Sequence, residues 1–83
     1  MEVRLPLFEV HAELVTPGRN PVIGIVQLTA EDPEVARTDG VEALKTAYAR
    51  TRGAPVTVIG SEVEELGHDT HHLGIQVARI LEN

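Results

Sequence analysis

The sequence predicts a small α+β domain, an antiparallel sheet of about four strands with one helix across one face, in the order β-β-α-β-β. Three observations lead there. Residues 7–14 alternate apolar and polar with a period of two, residues 39–53 carry the start and stop signals of one helix, and residues 56–63 return to a β-branched strand pattern. The 83 residues make one domain, 1–83. There is no Cys, so neither a disulfide nor a thiolate metal site can staple it, and the core must come from aliphatic residues with Phe8 and Tyr48.

The first strand puts Phe8, Val10, Ala12 and Leu14 on one face and Glu9, His11 and Glu13 on the other. Val3, Leu5 and Leu7 carry the opposite parity and Pro6 interrupts them, so residues 1–6 read as a bulged extension or an arm. Thr16-Pro17-Gly18-Arg19-Asn20-Pro21 is turn chemistry: proline presets φ at the first corner and glycine accepts a positive φ at the second. The return strand, Val22 to Leu28, is apolar on both faces, which a single helix cannot cover. Thr29 to Thr38 reads as a surface connection in which Asp32-Pro33-Glu34 can start a short turn of helix.

The main helix is expected from Asp39, with Glu42 completing a capping box, to Gly53, with Arg50 and Arg52 in the last turn and Pro55 beyond it. Val41, Leu44, Ala47 and Tyr48 form its apolar stripe. Val56 to Val63 is the third strand, with a bulge at Gly60 where the apolar parity changes and with Glu62, Glu64 and Glu65 facing water or a basic partner. Leu73 to Leu81 fits a strand or a helix, and the β-branched Ile75 and Val77 beside Gly74 favour the strand.

One constellation has chemical potential. His68, Asp69, His71 and His72 lie in the expected hairpin loop between the last two elements; in a helical turn, His68, His71 and His72 would share a face and could hold zinc or another transition metal. In a hairpin His71 and His72 point to opposite sides, so the expectation is a polar loop without a metal. Ser61 lacks the Gly-x-Ser-x-Gly context of a nucleophile elbow, and the glycines are scattered singly, with no phosphate loop.

A formal net charge of −6 opposes nucleic-acid binding, which rests on Lys and Arg displacing counterions. Lys45 is the one lysine among seven basic residues, a bias of GC-rich genomes that suggests a bacterial or phage origin. No apolar run approaches the roughly 20 residues of a membrane span, and Met-Glu-Val-Arg lacks the opening of a secretory signal, so the cytoplasm is the expected compartment. The function expected is that of a non-catalytic protein-interaction or assembly module, a homo-oligomer built on Val22, Ile23, Ile25, Val26 and Leu28 and needing no cofactor. The alternatives are a metal-binding protein or small metal-dependent enzyme using the His68–His72 loop, a small-ligand-binding oligomer, and an acidic antitoxin or inhibitor of a basic partner.

Overall fold

A computed structural model describes the backbone of residues 5–69 and 75–82 and the side chains of residues 5–67. The chain is α+β, an antiparallel sheet with one helix, as the sequence predicts. The elements are β1 (Leu5–Val15), β2 (Val22–Thr29), α1 (Pro33–Arg52), β3 (Thr57–Asp69) and β4 (Ile75–Glu82). Neighbouring strands are antiparallel in the order β3-β1-β2-β4, so the hairpin lies at the centre and the two later strands form the edges. The last segment is therefore a strand, and β3 and β4 are not the hairpin expected around the histidines.

The hairpin closes at Thr16-Pro17-Gly18-Arg19. Arg19 N–H donates to the Thr16 carbonyl at 3.2 Å, and Gly18 takes φ +75°, the positive angle that a type II turn asks of its third residue. From it the register runs Leu14 opposite Val22, Ala12 opposite Gly24, Val10 opposite Val26 and Phe8 opposite Leu28. These residues share one face, and α1 lies across it. The core is Phe8, Val10, Ala12, Leu14, Val22, Val26 and Leu28 from the hairpin, with Ala36, Leu44 and Tyr48 from the helix and Ala30 and Val56 from its flanks.

The helix begins earlier than its sequence suggests. Asp32, not Asp39, is the N-cap: its backbone is extended at φ −152°, and its Oδ1 accepts from Val35 N–H at 2.9 Å. Pro33 follows in the first helical position, where its fixed φ suits the helix and its missing N–H costs nothing, and Glu34 meets the positive end of the helix dipole. Residues 33–38 are thus helix rather than surface connection, and Asp39 is an exposed residue of its interior. The buried stripe is Ala36, Gly40, Leu44 and Tyr48, one residue every four, with Val41 partly buried and Ala47 exposed. The C-terminus is as predicted: Gly53 is left-handed at φ 66° and its N–H donates to the Ala49 carbonyl at 2.8 Å. Arg52 Nε donates to the hydroxyl of the buried Tyr48 at 3.3 Å and its guanidinium lies 5.4 Å from the ring centre, which satisfies the one polar atom the tyrosine brings inside.

Two bulges set the register of β3 against β1. The pairing steps from Glu13–Gly60 to Leu14–Val58, leaving Ile59 as the extra residue, and from Leu7–Gly67 to Phe8–Glu65, leaving Leu66. The first is the bulge expected beside Gly60. The second lies opposite Leu7 and Phe8, with the extra residue on β3 while β1 alternates from Leu7; residues 1–4 of the expected extension or arm lie outside the described residues. Both extra residues are exposed apolar side chains, Ile59 at 57% and Leu66 at 42%, and each precedes a glycine.

Candidate functional site

Among the described residues the sheet has one covered face and one open face, and the charged residues of β1 and β3 converge on the open one. Strand alternation sends Glu9, His11 and Glu13 of β1 away from the helix, together with Ile23, Ile25 and Gln27 of β2. The bulge at Ile59 decides what joins them from β3. Without that extra residue Ser61 would stand opposite His11; with it, Glu62 does, and Glu64 stands opposite Glu9. The rows across the sheet therefore read Glu64-Glu9-Gln27, Glu62-His11-Ile25 and Gly60-Glu13-Ile23.

This arrangement is acidic on the β3 side and apolar on the β2 side. Glu9 and Glu64 oppose each other directly, a like-charge pair that disfavours the sheet, and His11 sits among Glu9, Glu13 and Glu62. Its Nε2 lies 3.5 Å from Glu9 Oε2, so a protonated imidazole would find one carboxylate at ion-pair distance. His11 is 41% exposed, which keeps such a pair in contact with water and weak. Beside it runs a shallow groove of about 490 Å³ bordered by His11, Glu13, Ile23, Gly60 and Glu62. Gly60 opens it, since a side chain built there would meet nothing within 4 Å.

The residues singled out in the sequence fall into separate places. Val22, Val26 and Leu28 are core beneath the helix, buried within the protomer, which leaves Ile23 and Ile25 as the part of that set on the open face. His68 and Asp69 are strand positions of β3, opposite Pro6 and Leu5, rather than loop residues, and their side chains, with His71 and His72, lie outside the described residues. Among the described residues no three His, Asp or Glu side chains are grouped to hold a metal ion. Ser61 pairs with Ala12 and is half-buried, one register position from His11, and it borders the same groove.

The sequence shows the alternation of His11 with Glu9 and Glu13 but not the facing Glu62 and Glu64. The signal was present in the parity change at Gly60, which fixes their face once β3 is known to pair with β1. Among the described residues no helix is long and apolar enough to cross a membrane. Compared with protein-family models, with curated proteins and with solved structures, the chain matches none.

Proposed function

We propose that this chain is a non-catalytic interaction module that works as a homo-oligomer, with the open face of the sheet as the contact between copies. One observation carries the reading: α1 covers only one side of the sheet, and the other side presents Ile23 and Ile25 on an interior strand, where among the described residues no helix lies over them. Leu7 and Val15, half-buried on the same face, extend the apolar area along β1. Burying such a stripe in a second copy contributes roughly 25 cal/mol for each Å² of apolar surface removed from water. The glutamates of β3, an outer strand, lie at the rim of the contact, where they stay hydrated.

The test is the mass in solution. At micromolar concentration the wild type is expected to scatter light as an oligomer, and Ile25→Glu to lower the mass while leaving the circular dichroism of the fold in place. A monomeric wild type, or an Ile25→Glu variant of unchanged mass, would reject the proposal.

A further inference from the structure

The strand order sets a problem of reach. Asp69, the end of β3, is level with Leu5 of β1; Ile75, the start of β4, is level with Leu28 of β2 and through it with Phe8, three residues further along β1. β3 and β4 lie on opposite edges, three strand spacings apart, which is about 14 Å across the sheet and about 10 Å along it, or about 17 Å in a straight line. Six peptide units join Asp69 to Ile75, and fully extended they reach about 20 to 22 Å. The straight line is closed, because β1 and β2 stand on it. An arch that clears the sheet by ~5 Å needs about 20 Å, the whole reach, and one at the ~10 Å spacing of packed layers needs about 26 Å. A connection within one chain is therefore at the limit of what its length allows.

Two copies remove the problem. When two sheets stack open face to open face about a two-fold axis along the strands, β3 of one copy lies over the outer side of β2 in the other, about 10 Å away. From there to the start of a strand on that β2 is about 14 Å, with no strand between, well inside the reach of six peptide units. We infer that the chain exchanges β4 between copies: the β2–β4 pairing forms with β4 supplied by a second copy of this chain, stacked on the open face. Exchange of an identical element is a low-cost route to a symmetric dimer, and a connection stretched to its full reach favours it. This inference rests on the reading of the open face as the contact between copies and names what that contact carries.

The absence of Cys makes the test clean. Val26 is opposite Ala78 and Gln27 opposite Val77, so the double variants Val26→Cys/Ala78→Cys and Gln27→Cys/Val77→Cys place a cysteine pair across β2 and β4 in two adjacent registers. One register is of the hydrogen-bonded type and the other is not, with Cα separations of about 5.5 and 4.5 Å, and both admit a disulfide. After mild oxidation at micromolar concentration, non-reducing electrophoresis is expected to show covalent dimers. Bridges confined to single chains in a protein that still scatters light as an oligomer would overturn the exchange and leave the oligomer standing. Bridges confined to single chains in a monomer would overturn both. A third variant, with Gly-Ser-Gly-Ser inserted after Thr70 in the double-cysteine chain, tests the cause: the covalent dimer should give way to bridging within single chains. A dimer fraction unmoved by the longer connection would show that reach does not drive the exchange.

Discussion

Gly40 stands in the middle of α1, where glycine costs about 1 kcal/mol relative to alanine, so its place there has to be explained by something else. The explanation is distance. A Cβ built on Gly40 would lie 2.8 Å from Val10 Cγ2 and 2.9 Å from Val10 Cβ, closer than real methyl groups approach, and Val10 is fully buried under the helix. The glycine is what lets helix and sheet touch at this point. Gly40→Ala is therefore expected to destabilise the fold by about 1 to 3 kcal/mol despite its better helix propensity. In a Val10→Ala background the same change should cost less, and urea unfolding of the four proteins in a double-mutant cycle measures the difference. A Gly40→Ala protein more stable than the wild type would show that the helix can lift off the sheet at no cost. Thr16 is the opposite case: 2% exposed at the turn of the hairpin, it has the buried side-chain oxygen that, among the described residues, lacks a hydrogen-bond partner, a defect usually worth about 1 to 3 kcal/mol.

At the scale of the elements, α1 carries two start signals in its sequence and uses the earlier. Asp32-Pro33-Glu34 and Asp39-Gly40-Val41-Glu42 both place an acceptor before a helical run, and the second adds a glutamate at capping-box spacing. The glycine at 40, beside the second signal, is a packing device, and its role is visible only once Val10 is opposite it. Asp32→Ala should cost about 1 kcal/mol through loss of the bond to Val35 N–H, whereas Asp39→Ala, exposed within the helix, should change stability by less than about 0.5 kcal/mol. Thermal unfolding of the two variants decides, and a larger loss from Asp39→Ala would return the helix start to residue 39. The strands were legible where a local rule suffices. β1 shows its faces by alternation, the hairpin by Pro17-Gly18, and the first bulge by the parity change at Gly60. The facing of Glu62 and Glu64 on His11 and Glu9 was not legible, because it depends on which strand β3 joins and on a shift of one residue that turns every side chain to the other face. The second bulge, at Leu66, sits where glutamates and a glycine leave no apolar alternation to interrupt.

For the molecule as a whole, the strand order was beyond the sequence because it is made by contacts far apart along the chain. β1 and β2 meet through a short turn, while β3 reaches β1 only after the helix and β4 reaches β2 from beyond β3. One consequence concerns time. A hairpin closes in about 1 to 10 μs, whereas pairings of long sequence separation form later, since loop-closure entropy must be overcome first. During synthesis the N-terminal half emerges first, so the centre of the sheet exists on the ribosome with both of its edges unpaired for as long as the remaining chain takes to appear. The order of assembly then runs from the middle outward, and the order of opening should run back from the rim. In native-state hydrogen exchange the amides of β1 and β2 are expected to exchange last and those of the two flanking strands first. Uniform protection across all four strands would mean that the sheet opens only as one unit. A nascent chain of this design passes through a stage in which its most adhesive backbone is its most exposed, and the acidic residues already translated at that stage, Glu9, Glu13, Glu31 and Asp32 among them, are what it has to keep neighbouring nascent chains apart.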